Sequence, residues 1–262
     1  MENSNYSPKY PLHTLSNALD ILNYIAQYPE SAGVTIATLS KNLKMSKSSI
    51  HRILDTLLSY GFVEKHGNTI INYRLSWSAY KVGKSVPKYH TLNSSNYISI
   101  LEELSSFTGK TATLNIISDC STIIMYKIDP NNSIPSQAFL GQHNPLYATA
   151  SGKLFMLNFS IDEIRMYFKN VPIKKYTSNT ILNYIDFLDE LNDVKCNDYA
   201  FDNCEFSEDK VCIAMPVRDY TRKIVATISI SATPQETSTD ELLIFAPKLR
   251  NACETLSSFL GA

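Results

Sequence analysis

Lys47, Ser48, Ser49, His51 and Arg52 place five hydrogen-bonding side chains within six positions. Lysine and arginine bring positive charge, and the hydroxyls and imidazole donate or accept. Together they suit phosphate oxygens and the edges of DNA bases. An ordinary amphipathic surface helix could carry the same polar face. A second set lies far downstream. In the alternating run Ile228-Ser-Ile-Ser231, Ser229 and Ser231 share one face of a strand by its period of two. Two hydroxyls on one face of a buried strand require partners; on the alternative reading they face solvent and the isoleucines form the core. Ala150-Ser151-Gly152 can open a helix, where free backbone N–H groups and the dipole favour a carboxylate.

The elements that position the first set are legible from periodicity. Ile50, Ile53, Leu54, Leu57 and Leu58 form one apolar helical face, opposite Lys47, Ser48, His51 and Arg52. Ser46 is placed to cap that helix and Gly61 to stop it. A helix from about Thr14, with Leu15, Ala18, Leu19, Leu22, Ile25 and Ala26 as its stripe, precedes it, and Tyr28-Pro29 ends that helix. A short helix follows Thr35, with Ile36, Leu39 and Leu43 inward. Two helices joined by the tight turn at Lys44-Met45 have helix-turn-helix spacing. The β-prone runs Phe62–Lys65 and Ile70–Leu75 flank a Gly67-Asn68 turn, which predicts a hairpin. A hairpin in that position forms a wing, and Lys65, His66 and Asn68 at its tip could reach a phosphate or the minor groove.

Length and composition fit this division. The 262 residues are enough for two domains, and 44% hydrophobic with 19% charged residues describes a globular chain. Residues 1–86 hold nine Lys and Arg against five Asp and Glu; residues 87–262 hold fifteen against twenty. A basic third joined to an acidic remainder confines nucleic-acid binding to the N-terminal part. No apolar run approaches the ~18 residues of a membrane span, and the N-terminus has no basic and apolar leader pattern. The expected location is the cytoplasm, with no membrane partner. The five cysteines form no CxxC or CxxxC knuckle, so most are expected to be buried thiols.

Beyond residue 76 the pattern changes. Trp77–Tyr89 reads as a linker helix with a break near Pro87, and Tyr97–Phe107 as a helix ended by Gly109. Strands are expected at Thr111–Ser118, Thr122–Ile128, Val211–Arg218 and Lys223–Ser231, with a further one at Ser136–Leu140. Helices are expected from Ala150 to Leu157, from Ser160 with a Ser160/Glu163 capping box, over about Ile181–Lys195, and over Asp240–Leu260. The fold class is α+β, with domains at 1–76 (winged helix-turn-helix), 77–95 (linker helix) and 96–262.

Several motifs in order resemble one family. Leu15-Ser-Asn-Ala-Leu-Asp-Ile-Leu22, Met45-Ser-Lys-Ser-Ser-Ile-His-Arg-Ile-Leu54 and Gly61-Phe-Val-Glu64 resemble the DNA-binding domain of the isocitrate lyase regulator (IclR) family. Asn17 departs from its usual arginine, and Lys44 stands where a turn glycine is common. Downstream, Gly141-Gln-His-Asn-Pro-Leu-Tyr-Ala-Thr-Ala-Ser-Gly-Lys153, Tyr176-Thr-Ser-Asn-Thr180, Asp202-Asn-Cys-Glu205 and Val211-Cys-Ile-Ala-Met-Pro-Val217 continue the likeness, with Tyr147 in place of the family's common histidine.

The resemblance implies a GAF/PAS-like effector-binding domain with an antiparallel sheet, and a pocket bounded by Ala150, Ser151, Asp202, Cys212, Ser229 and Ser231. For Cys212 taken alone, buried packing is the better reading. The implied function is a transcriptional regulator, repressor or activator. Double-stranded operator DNA binds at Lys47, Ser48, Ser49, His51, Arg52, Lys65 and Asn68, and a small carboxylate effector binds in the C-terminal domain. Self-association into dimers, and dimers into tetramers, is also implied. No cofactor, catalytic residue or metal ligand is expected. A metal sensor is the alternative, although no ligand spacing is recognisable. A less favoured one is an enzyme using Cys212 and Asp202 with His143 as base, without any recognisable hydrolase, metalloprotease or nucleotide motif.

Overall fold

The computed structural model describes residues 9–28, 32–67, 69–85, 96–130 and 138–262. The described residues fall into two compact units, one within residues 9–85 and the other within residues 96–262. No helix among the described residues is long and apolar enough to cross a membrane.

The N-terminal unit contains α1 (His13–Gln27), α2 (Ile36–Leu43), α3 (Lys47–Ser59), the hairpin β1 (Val63–His66) and β2 (Asn72–Leu75), and α4 (Trp77–Ser85). Its core gathers Ile21 and Ile25 of α1, Leu39 of α2, Ile50, Ile53 and Leu54 of α3, and Val63 and Tyr73 of the hairpin. The sequence assigns Leu15 and Leu19 to the buried stripe of α1, but both are exposed. The apolar run of α1 extends beyond the small core that its own unit supplies. The expected linker helix is found as α4 to Ser85; the remainder of 77–95 lies outside the described residues, as does Asn68.

The C-terminal unit is built on a six-stranded antiparallel sheet of order β5-β4-β3-β8-β7-β6. Its strands are β3 (Thr111–Ser118), β4 (Ser121–Ile128), β5 (His143–Pro145), β6 (Ala200–Asn203), β7 (Val211–Arg218) and β8 (Ile224–Ala232). Helices α5 (Asn96–Thr108) and α10 (Ala246–Phe259) pack on one face, and α6 (Ala150–Met156) on the other, backed by α8 (Tyr184–Asn197). Helix α7 (Ile161–Asn170) packs on α8 and carries the expected capping box: Glu163 accepts from Ser160 N at 2.7 Å while Ser160 Oγ accepts from Glu163 N.

Three expectations change. Ala138–Leu140 is irregular, and the strand pairing with β4 is His143–Pro145 instead. The expected closing helix is two helices, α9 (Thr239–Leu243) and α10, because Pro247 in the first turn of α10 cannot donate into a continuous ladder. Strand β6 has no counterpart in the sequence reading; it is four residues long and half polar, too short to display alternation.

Candidate functional site

In the N-terminal unit, α3 presents Lys47, Ser48, Ser49, His51 and Arg52 to solvent while Ile50, Ile53 and Leu54 are buried. Its frame is fixed at both ends. Ser46 Oγ accepts from Ser49 N at 3.1 Å, satisfying one of the first-turn donors. At the other end Gly61, with φ +69°, donates to Leu58 O, and Phe62 N donates to Leu57 O, which closes the last turn. Lys44 takes the left-handed conformation between α2 and α3, φ 53°, where glycine would be unstrained.

The five polar residues are not equivalent. His51 Nδ1 lies 2.9 Å from Asp55 Oδ2 one turn along, so its imidazole is tied to the helix. The Ser49 hydroxyl accepts from Ser46 Oγ at 2.8 Å and belongs to the cap. Lys47 and Arg52 extend with no side-chain partner among the described residues. In the wing, Lys65 is exposed on β1, and the hairpin is locked by Arg74 Nε donating to Glu64 Oε1 at 2.5 Å across the strands. That partner holds the Glu64 carboxyl below its usual range.

In the C-terminal unit, register brings the second set together. Asp202 on β6 pairs with Cys212 on β7, Cys212 with Ser231 on β8, and Ser231 with Thr111 on β3. The neighbouring row runs Ala200, Ala214, Ser229, Thr113. Directly opposed residues share a face. That face lies under α6, because Ala150 and Leu154 pack in one cluster with Cys212, Ala214 and Ala200. So Ala150, Asp202, Cys212, Ser229 and Ser231 border one surface, and Ser151 is buried next to Ala150. The two serines are 5% and 7% exposed, which removes the solvent-facing reading.

Their hydrogen bonding is half complete. Ser229 and Thr113 hydroxyls are 2.6 Å apart, and Asn115 Nδ2 donates to Thr113 Oγ1 at 3.1 Å. Thr111 donates to Asp129 Oδ1 at 2.9 Å, and Asp129 also pairs with Lys127 at 2.9 Å. Ser231 has no side-chain partner among the described residues, and the buried Thr227 Oγ1 and Asp202 Oδ2 atoms lack one. The other Asp202 oxygen accepts from Glu205 N at 2.8 Å and Phe206 N at 3.3 Å. Burial raises the Asp202 carboxyl above its usual range, against the pull of Lys210 and Lys153. Burial also pushes the Cys212 thiol up to about 11, so it is a packed, protonated thiol.

The start of α6 takes up one of the first-turn N–H groups internally. Thr149 is the N-cap: its hydroxyl accepts from Gly152 N at 3.2 Å and donates to Pro145 O at 2.8 Å. Gly152 is required by contact, since a Cβ there would lie 2.2 Å from Leu146 O and 2.4 Å from Leu146 Cα. The Tyr147 hydroxyl is engaged by backbone: it donates to Lys174 O at 2.8 Å and accepts from Lys174 N at 2.7 Å, and burial raises it to about 12.

Sequence reasoning missed Lys153. It is 1% exposed, and its ammonium donates to Glu205 at 2.5 Å, Glu190 at 2.7 Å and Phe201 O at 2.9 Å. Burial acts to lower its pKa, but the two carboxylates outweigh burial and hold it charged. Burial pushes Glu205 up to about 7, with Lys153 pulling the other way. The Gly152-Lys153 and Asp202…Glu205 motifs named these residues, but no one-dimensional pattern signals that they meet.

His143, the base of the enzyme alternative, lies on β5, where Nδ1 is 2.7 Å from Ser121 Oγ. Strands β5 and β7 stand four places apart in the sheet, about 19 Å at the usual strand spacing. His143 therefore cannot serve Cys212. Among the described residues no three His, Cys, Asp or Glu side chains come together as a metal would require.

Comparison with known proteins gives a family for both units. Residues 89–258 match the model of the bacterial transcriptional regulator IclR C-terminal domain, and residues 14–67 match the IclR helix-turn-helix domain. The chain is 29% identical to the HTH-type transcriptional regulator KdgR of Escherichia coli K12, over 95% of this chain and 94% of that protein. It is 31% identical to the DNA-binding transcriptional repressor YiaJ of the same organism, over 95% and 88%. The crystal structure of Thermotoga maritima IclR superposes with a TM-score of 0.76 at 27% identity, covering 95% of this chain and 99% of that one.

Proposed function

The chain belongs to the IclR family of DNA-binding transcriptional regulators, and from that premise we propose that a small carboxylate bound on the hydroxyl face under α6 controls its hold on operator DNA. The observation that carries the proposal is the row Thr111, Ser231, Cys212, Asp202 with its neighbours Thr113 and Ser229. It is a buried polar surface with unfilled hydrogen-bonding capacity. A natural core rarely leaves such groups unmatched unless water or a ligand completes them. Hydroxyl and amide donors at Ser231, Ser229 and Asn115 suit carboxylate and hydroxyl oxygens. Asp202 Oδ2, buried and without a partner among the described residues, is open to a hydroxyl of the ligand.

In this reading residues 1–76 bind DNA, 77–95 link and pair protomers, and 96–262 bind effector. Lys47, Ser48 and Arg52 contact phosphate or guanine edges, with Lys65 and Asn68 on the wing; Ser49 and His51 hold the helix in shape. One winged helix covers one half-site, so tight binding needs at least a dimer on a pseudo-palindrome. Exposed apolar side chains supply a surface for that pairing: Leu15 and Leu19 on α1, and Trp77, 78% exposed, with Tyr80 on α4. The protein acts where the DNA is, in the cytoplasm. Effector binding shifts the population of DNA-competent dimers only if the two states bind it unequally.

Two measurements on the full chain test this reading. Fluorescence anisotropy with the DNA upstream of its own gene is expected to give sequence-preferring affinity that falls steeply with salt. A thermal-shift panel of small carboxylates is expected to yield one that stabilises the protein in proportion to the logarithm of its concentration. No preference for that DNA overturns the operator assignment, and no stabilising carboxylate overturns the effector class.

A further inference from the structure

Away from the hydroxyl face, the C-terminal unit carries two adjoining concavities that share Asp198, Arg218 and Arg222. One, of about 250 Å³, lies against α10 and is lined also by Arg250 and Glu254. The other, of about 450 Å³, has an apolar wall of Met156, Phe159, Ile164, Leu188 and Leu191, with Lys195 at its rim. Neither is lined by Ala150, Ser151, Asp202, Cys212, Ser229 or Ser231.

The charge at their junction is unbalanced by construction. Asp198 ends α8 in the left-handed conformation, φ 58°. Its carboxylate receives both terminal nitrogens of Arg218, at 2.6 and 3.2 Å, and Arg250 at 3.4 Å. One carboxylate thus serves two guanidinium groups. Arg222, in the β7–β8 turn, and Lys195, on the last turn of α8, have no side-chain partner among the described residues. The charged side chains lining the two cavities are Arg218, Arg222, Arg250 and Lys195 against Asp198 and Glu254, and Ala262 also lines the smaller one. A cationic rim beside an apolar wall recognises a molecule with an anionic head and a hydrocarbon body. The floor is firm: Asn158 clamps the start of β8 by donating to Ile224 O at 2.8 Å and accepting from Ile224 N at 3.2 Å.

We propose that this groove is a second ligand site, separate from the hydroxyl face, for an amphipathic organic anion, with its head on Arg222 and Lys195 and its body along Ile164, Leu188 and Leu191. The groove touches Met156 at the last turn of α6, while Ala150 in the first turn borders the effector face. A ligand here therefore contacts the same helix from its other end.

Octanoate is the probe, titrated into the full-length protein by calorimetry, with acetate for the head alone and 1-octanol for the body alone. Saturable octanoate binding is expected, at least tenfold tighter than either fragment. Arg222→Gln, on an exposed turn where folding is not at stake, is expected to weaken it at least tenfold with operator affinity unchanged. Methyl NMR is expected to move Ile164, Leu188 and Leu191 and to leave Ala200 and Ala214, in the row of Ser229 and Thr113, in place. Absence of saturable binding, equal binding by Arg222→Gln, or shifts centred on Ala200 and Ala214 overturns the proposal. So does an octanoate-insensitive protein whose self-association is weakened by Ile161→Asp, since a second copy then covers the groove.

Discussion

Along β3 the residues run Thr111, Ala112, Thr113, Leu114, Asn115, and along β8 Thr227, Ile228, Ser229, Ile230, Ser231; all ten are buried. The two faces of one sheet are equally removed from water, yet one is hydrocarbon and the other is hydroxyl and amide. The hydrocarbon face lies under α5 and α10 and gains stability for every apolar group it hides. The hydroxyl face gains little by burial, because each polar group it hides must recover a hydrogen bond. Several do not. Depth of burial therefore does not separate the two faces; completeness of hydrogen bonding does, and it is the incomplete face that is proposed to bind the effector.

The comparison breaks first at Lys153, the charge held in the layer over the hydroxyl face. Lys153→Ala strands the buried Glu205 carboxylate and takes the cation from the half-buried Glu190; it is expected to cost about 3–5 kcal/mol, read as a lower denaturation midpoint. On the hydrocarbon face, Ile230→Ala is expected to cost about 2–5 kcal/mol and to leave effector affinity unchanged in the fraction that folds. On the hydroxyl face the ratio reverses. Ser229→Ala is expected to cost only about 1 kcal/mol and to abolish the thermal shift with the carboxylate. Similar stability losses for Ile230→Ala and Ser229→Ala would remove the distinction between the faces.

Glu205 gives the polar layer a pH signature. Its carboxyl is raised from 4.5 to about 7. Between those values the native protein holds a proton that the unfolded chain has lost, so this group makes stability fall as pH rises from about 4.5 to about 7. Below that window both states are protonated and above it both are ionised. Glu205→Gln is expected to flatten that slope in pH-dependent denaturation. The smallest effect lies at the helix-turn-helix turn. Lys44→Gly exchanges a left-handed penalty of roughly 1–2 kcal/mol for the lost entropy of glycine, roughly 0.5–1 kcal/mol. A slight gain in melting temperature is expected.

The sequence was most informative where a local rule fixes the answer. Helix α3 was legible because Ile50, Ile53 and Leu54 recur at the helical period between a serine cap and a glycine stop. The strand carrying Ser229 and Ser231 was legible as a strand, but not its faces. Alternation marks two faces without saying that both are buried, and that follows only when α6 and α10 arrive from distant parts of the chain. Asp202, Cys212 and Ser231 are joined by register across three strands, which no spacing along the chain encodes. Lys153 lay hidden for a related reason: a lysine in a helix ordinarily reaches solvent, and here its partners come from 37 and 52 residues away. Leu15 and Leu19 erred in the opposite sense, since an apolar stripe does not say whether its own unit or another chain covers it.

The most direct test of the central claim measures operator affinity by anisotropy with and without the carboxylate that stabilises the wild-type protein. Wild type and Ser231→Ala are compared in one salt. The carboxylate is expected to change wild-type affinity, and Ser231→Ala is expected to bind the operator as wild type does without it and no longer to respond. A Ser231→Ala protein that keeps the full response contradicts the placement of the effector on the hydroxyl face.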